Sequence, residues 1–347
     1  MSKTIVIIGA TGNQGSSLAC VFLQKPGFKV RGVTRDPAKP ASQALKKQGV
    51  ELVQGDVDDV ESLKIALRGA DIVFGNTAYS NESVKPGTQH KCYELELQQG
   101  KNVADAVATV ADGLEMFIWS SLSAATKWSK GRYDKVYHFD SKAHVVDYIN
   151  EQLPAVAQKM SILQMGLFVN NWRWGAPSVP WHKQPDGSMK LRIPGQGDTP
   201  VPFVVPDDAG HYVYALTQLP IGTNLLAFGG MVTWTEYVKL WTKATGVPAV
   251  LEKVTIEEHA KLVPGGFGEE MAHMYGYMVD FGYHGGDPSV TFTSDVSCHS
   301  MFQEHVESPA DEVALQIKID IPITTLEEYL AQEDWSPLLK GEAIDRT

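Results

Sequence analysis

His138 and Lys142 are four residues apart in the run Tyr137-His138-Phe139-Asp140-Ser141-Lys142. On a helix that spacing puts both side chains on one face, a turn apart. A lysine so placed can hold a nicotinamide ribose, and a neighbour that titrates near neutrality can deliver a proton while hydride moves. In many hydride-transfer enzymes that neighbour is a tyrosine four residues before the lysine. Here His138 holds the position, and Tyr137, one residue off, points about 100° away around the helix. His138 reads either as a substitute general acid or as a structural histidine near a helix start. Ser120 and Ser121 stand where a carbonyl-orienting serine would, or as small residues that let a strand end turn.

Hydride chemistry needs a dinucleotide, and the chain opens with residues suited to one. Ile5-Val6-Ile7-Ile8 reads as a buried strand. Gly9-Ala10-Thr11-Gly12-Asn13-Gln14-Gly15 follows, then a helix-like run from Ser16 to Gln24. Strand, glycine turn and helix N-terminus together make a phosphate cradle: Gly9 for the tight turn, Gly12 for approach of the backbone to a pyrophosphate, Gly15 for close helix packing. The spacing is G-x-x-G-x-x-G rather than G-x-G-x-x-G, so position after a strand carries much of the weight. A second strand, Lys29 to Thr34, ends at Arg35-Asp36-Pro37. Arg35 sits about 20 residues past the glycines, where the residue facing the adenosine ribose is expected. An arginine there pairs a 2′-phosphate, with Lys39 as a second charge, and favours NADP(H). Asp36 would accept from a 2′-hydroxyl and favour NAD, unless it starts the turn at Pro37. Asp56 ends a third strand, Val50 to Gln54, where it can accept from an adenine amino group, while Asp58 or Asp59 caps the next helix. Asn76 and Thr77 follow a fourth strand, Ala70 to Gly75, at the crevice where ligands sit. Lys101 lies in a long helical pattern, about Lys91 to Ala111, with Leu95, Val103, Ala106 and Val110 near one face; its plainest reading is a solvated lysine.

These residues need elements to place them. Strands alternate with helices through Glu115–Trp119, Tyr133–Gln152 and Lys159–Gln164. That alternation implies an α/β fold, a Rossmann-type doubly wound parallel sheet over residues 1–165. Residues 166–347 are expected to form mainly a smaller C-terminal α/β lobe, with some segments returning to the sheet. The stretch 172–205, rich in Trp, Pro and Gly, suits loops or short antiparallel strands. Asp207 or Asp208 is expected to cap the helix at Tyr212, Thr233 the one after Trp234, and Thr324-Thr325 to open a last helix. Composition agrees: 347 residues, 43% hydrophobic, 20% charged, net charge −11. The acidic balance without a basic block argues against direct nucleic-acid binding. Three cysteines (Cys20, Cys92, Cys298) without C-x-x-C spacing favour a reducing compartment. No leader is expected ahead of a strand that begins by Thr4, and no apolar run reaches the roughly 18 residues a membrane span needs. The expected location is cytoplasmic, with the nucleus open, and a homodimer is left open. No metal site is expected, since no H-E-x-x-H or Cys/His cluster occurs.

In order along the chain, GATGNQG, VRGVTRDPAK, VQGDVDD, QQGKNVADA, HFDSKAHVVDYI, GLFVNNW, VPDDAGHYV, FGYHGG and TTLEEYL, with Trp335 beyond, resemble the NmrA-like family of atypical short-chain dehydrogenases. The resemblance implies a Rossmann domain plus a small lobe with the ligand cleft between. It also implies NADP(H) contacts from Gly9, Thr11, Gly12, Asn13, Gln14, Gly15, Arg35, Lys39, Asp56, Val57, Asn76, Thr77, Lys101 and Lys142. The Phe168 to Asn170 segment belongs to the same implied set. Ser121, where the family often has glycine, and Asn170, where it often has glutamate, depart from the sensor-like pattern. Members divide into reductases, which use the lysine without the tyrosine, and redox sensors, which bind the dinucleotide and regulate partners such as transcription factors. For this chain the expectation is an NADPH-dependent reductase of a small carbonyl, imine or enone, with Lys142 and His138 as catalytic residues. The alternative is a sensor that binds a regulatory protein. Trp172, Trp174 and Trp181 either line an aromatic substrate pocket or cement the lobe.

Overall fold

The computed structural model describes residues 2–79, 83, 85, 87–174, 178–262, 266–297 and 319–341. The apolar run near the start becomes β1 (Lys3–Ile8), and its alternate side chains bury on opposite sides. Ile5 and Ile7 join one core cluster, Val6 and Ile8 another. A strand covered on both faces needs apolar side chains in both directions, hence a continuous run rather than alternation.

The chain continues through α1 (Asn13–Leu23), β2 (Phe28–Thr34), α2 (Pro40–Lys47), β3 (Glu51–Gln54), α3 (Val60–Ala66), β4 (Ile72–Gly75), α4 (Gln89–Ala108), β5 (Met116–Ser121), α5 (Tyr137–Gln152) and β6 (Met160–Met165). Then come β7 (Leu167–Phe168), β8 (Trp181–Lys183), β9 (Met189–Pro194), β10 (Pro200–Val204), α6 (Ala209–Leu216), β11 (Asn224–Ala227), β12 (Gly230–Thr233), α7 (Trp234–Thr245), β13 (Ala249–Val254), α8 (Phe267–Phe281), β14 (Val290–Phe292) and α9 (Leu326–Gln332). The main sheet has eight strands in the order β14-β11-β6-β5-β4-β1-β2-β3, and neighbours run parallel throughout. This is the expected Rossmann-type doubly wound sheet, extended by β11 and β14 from beyond residue 166. The order reverses between β1 and β4, the switch point outside whose carboxyl ends ligands sit.

Two three-stranded sheets, β12-β10-β7 and β13-β9-β8, form the smaller lobe. Antiparallel strands do appear in 172–205, as the β8–β9 pair. Trp172 packs on Trp335 at 4.7 Å between ring centres, and Trp181 on Trp241 at 4.6 Å. Both are buried in the lobe core, so they cement it; the side chain of Trp174, like Cys298, lies outside the described residues.

Three local expectations are corrected. Leu95 is 43% exposed, because the buried face of α4 runs through Cys92, Glu96, Gly100, Val103 and Val107 instead. Asp208 makes no side-chain cap on α6; its carboxylate turns to the backbone N–H and hydroxyl of Thr324. Ser120 and Ser121 belong to β5 itself, paired with Leu163 and Gln164 of β6. Asp59 and Thr233 cap their helices as expected, and Thr325 caps α9, though a short helix at Ser336–Lys340 follows it. Among the described residues no helix is long and apolar enough to cross a membrane, and no cluster suits a metal ion.

Candidate functional site

The glycine turn comes first. Gly9 has φ +71°, a conformation that favours glycine, and a Cβ at Gly15 would lie 2.2 Å from the Gly9 carbonyl oxygen. No side chain caps the first turn of α1, so its N-terminal amides face outward at the carboxyl end of β1. Ser17 locks α1 to α6, its hydroxyl accepting from the Gly210 amide at 2.9 Å.

Past β2, Arg35 and Lys39 are exposed, and neither has an ion-pair partner among the described residues. Asp36 is engaged: its carboxylate accepts from the Ala38 amide at 2.9 Å, which is the turn-starting role. Asp56 likewise accepts from the Asp58 amide at 3.1 Å, and the Val57 carbonyl accepts from the Asn102 side chain.

At the carboxyl ends of β1, β4, β5 and β6 lies a cavity of about 450 Å³, a size usual for small-molecule sites. Gly12, Asn13, Gln14, Asn76 and Thr77 are among its lining residues. Asn76 Oδ1 is buried there without a hydrogen-bond partner. A buried acceptor that costs free energy when unpaired, beside a glycine cradle, fits a dinucleotide's donors. Ser120 and Ser121 line it as well, with the Ser120 hydroxyl donating to Gln14 at 2.9 Å. Phe168 and Asn170 line it too, as do the apolar side chains of Leu122, Phe139, Met165, Phe267, Met271 and Met274. Lys101 stands elsewhere: its ammonium lies over the Tyr148 ring, 5.2 Å from the centre, and the cavity does not reach it. Arg35, Lys39, Asp56 and Val57 also lie outside the cavity lining.

His138 and Lys142 both line the cavity from α5, and Tyr137 does not; its ring turns to His90 and Tyr93. Each of the two is anchored by a buried carboxylate. Lys142 Nζ donates to Glu96 Oε1 at 2.7 Å, to the Thr77 carbonyl at 2.7 Å and to the Thr77 hydroxyl at 3.1 Å. The Ser141 hydroxyl also donates to Glu96. Glu96 comes from α4, and α4 meets α5 closely because Gly100 has no side chain: a Cβ there would sit 2.2 Å from Val145 Cγ2. His138 Nδ1 lies 2.6 Å from Glu270 Oε1, and the His138 amide donates to the same oxygen at 3.0 Å. Glu270 belongs to α8, in the half of the chain beyond the main run of sheet strands. Its other oxygen accepts from the Tyr79 hydroxyl at 3.2 Å. Burial, with Glu270 adding, pushes the Tyr79 phenol well above its ordinary range.

Glu96, Glu270 and Tyr79 escaped the sequence reading. The two glutamates carried a signal nonetheless: each is a charge on an otherwise apolar helix face. Glu96 falls between Cys92 and Gly100 at four-residue steps, and Glu270 precedes Met274 and Tyr277 at steps of four and three. Tyr79 follows β4 in irregular chain, where no period marks it.

A sequence profile of the NmrA-like family matches residues 1–330. The NmrA-like family domain-containing oxidoreductase ptmS of Penicillium ochrochloron is 27% identical over 325 residues, spanning 89% of this chain and 94% of the relative. The solved structure of NmrA, a negative transcriptional regulator, in complex with NADP superposes with a TM-score of 0.66 at 20% identity over 95% of each chain. Citrobacter sp. triphenylmethane reductase complexed with NADP(H) gives 0.60 at 16% identity over 95% of this chain and 99% of its own. The solved structures speak to the fold alone; the profile matches nearly the whole chain, and by it the chain belongs to the NmrA-like family.

Proposed function

We propose that the chain is an NADPH-dependent reductase of a small, largely apolar carbonyl, imine or enone. One observation carries this reading: His138 and Lys142, a turn apart on α5, line the same cavity as a dinucleotide-type turn and a set of apolar side chains rich in Phe and Met. Bound NADPH supplies the hydride. Gly12, Asn13, Gln14, Asn76 and Thr77 hold the dinucleotide, Lys142 orients its ribose, and Arg35 with Lys39 receives a 2′-phosphate. Phe139, Phe267, Met271 and Met274 exclude water from the acceptor, and His138 gives it a proton. The oxidoreductase name of ptmS and the NADP-bound structures of two relatives support the same reading.

The test is NADPH oxidation with product identification across a panel of aromatic and polyketide-like ketones, imines and enones. Turnover of at least one class that is lost in Lys142→Ala is the expected result. Stoichiometric NADPH binding with no oxidation anywhere in the panel overturns it. That outcome favours the second reading, a sensor like the regulator that shares the fold, in which a protein partner discriminates free from bound forms. Cofactor choice is tested separately: Arg35→Ala should weaken NADPH relative to NADH by about 10- to 100-fold, the worth of one charge-assisted contact.

A further inference from the structure

Glu270 is fully buried, with its side chain 0% exposed. A carboxylate so placed needs donors, and it has three: the His138 ring, the His138 amide and the Tyr79 hydroxyl. An ionised carboxylate only accepts, so beside an ionised Glu270 the His138 nitrogen facing it at 2.6 Å carries the hydrogen. That fixes the tautomer. Neutral His138 is the Nδ1–H form, and any second proton resides on Nε2, which has no partner among the described residues and belongs to a side chain lining the cavity. The backbone bond from residue 138 to the same oxygen holds the ring and its anchor in register.

We infer that Glu270 is a positioning residue that makes His138 a directed acid, with Nε2 as the atom that delivers a proton into the cavity. The inference rests on the reductase reading for the proton's destination. A bound reduced nicotinamide would supply one hydride to the acceptor carbon, whose π electron pair would move to oxygen or nitrogen. His138 releases the Nε2 proton to that atom and ends neutral, with Nδ1–H still on Glu270. Solvent returns the proton for the next cycle. Tyr79 is the competing donor, but its one hydroxyl hydrogen faces Glu270 and the Gln89 carbonyl as acceptors, and a phenol pushed above its ordinary range is a poor acid at neutral pH. It serves to satisfy the second carboxylate oxygen. Among the described residues, the charged and titratable groups around His138 are Glu270 from α8, Tyr79 from the segment after β4, and Tyr137, Asp140 and Lys142 on α5 itself. Lys142 is compensated by Glu96, which leaves Glu270 as the carboxylate in contact with the imidazole.

The experiment uses the full chain in two arms. In the first, ¹⁵N NMR of the dinucleotide-free protein reads the His138 tautomer above its titration. The expected signal is Nδ1–H in the wild type and a majority of Nε2–H in Glu270→Leu. An Nε2–H wild type, or a tautomer unmoved by the substitution, overturns the inference whatever the chain turns over. In the second, His138→Phe and Glu270→Leu should each lower kcat by about 100-fold with NADPH affinity unchanged, and the double variant should fall no further. Losses that multiply mean that Glu270 acts other than through His138 and also overturn it. Should Glu270→Leu fail to fold, Glu270→Asp serves in both arms: it keeps the charge, shortens its reach and should restore part of both signals. A chain that turns over nothing defeats the reductase reading while the NMR arm still decides the tautomer.

Discussion

Lys142 and His138 sit one turn apart on α5, and each is held by a buried glutamate, but the two anchors come from different places. Glu96 belongs to α4, packed with α5 against the main sheet, and its ion pair is complete within the first half of the chain. Glu270 belongs to α8, in the second half. The lysine is therefore set by the sheet and its own helices, whereas the histidine is set only where the later chain docks. In the proposed roles, the group that orients the dinucleotide is prebuilt, and the group that donates the proton is assembled by the tertiary fold.

The sharpest way to break that contrast is to empty each anchor in turn. Lys142→Met leaves Glu96 buried with only the Thr77 and Ser141 hydroxyls. The expected loss is roughly 3–5 kcal/mol in denaturant unfolding, largely recovered by adding Glu96→Gln. A loss below about 1 kcal/mol would mean that Glu96 takes up a proton instead of holding its charge. His138→Phe should cost less, about 1–3 kcal/mol, because the residue 138 amide and Tyr79 still reach Glu270. An equal cost at both sites would erase the distinction.

A third buried carboxylate sharpens the comparison by lacking a cation. Among the described residues Asp208 meets only the amide and hydroxyl of Thr324, and burial pushes its pKa up to about 6, with Asp207 and Glu328 adding. A carboxyl raised on folding stabilises the fold while protonated. That contribution is complete below its ordinary value near 3.8 and is lost as pH rises to about 6. Unfolding free energy of the wild type relative to Asp208→Asn should thus fall by about 1–3 kcal/mol between roughly pH 4 and pH 7. A flat difference would place the carboxyl in water. The smallest effect is expected at Lys101: replacing it with Ala removes a cation–π contact worth about 0.5–1 kcal/mol and leaves NADPH affinity within about twofold. A tenfold loss by calorimetry would restore it to the dinucleotide contacts.

The same contrast explains what was legible in the sequence. β1, the glycine turn and the alternation through β6 could be read because each is local: a doubly buried strand must be apolar throughout, and a turn at φ +71° favours glycine. The His138–Lys142 spacing was legible for the same reason. The lobe was not, because β13 joins β9 across more than fifty residues and no local period announces that pairing. Asp208 looked like a helix cap by position, yet a partner 116 residues away outcompetes the local amides. The tryptophans offered bulk without address, and only the packing on Trp335 and Trp241 assigned Trp172 and Trp181 to the core. Glu96 and Glu270 were written plainly as charges on apolar faces, but a face becomes informative only once its opposite wall is known.

One consequence concerns how such a site can change. Helix α8 carries Glu270 and, within a turn on either side, Phe267, Met271 and Met274 of the cavity wall. The shape that selects an acceptor and the carboxylate that aims the acid thus ride on one rigid rod. Directed evolution toward a bulkier acceptor through Met271 or Met274 should trade turnover for range, since rotating the helix to make room also turns Glu270. Variants that enlarge the cavity from Leu122, which lies outside α8, offer a route to new acceptors at undiminished rate.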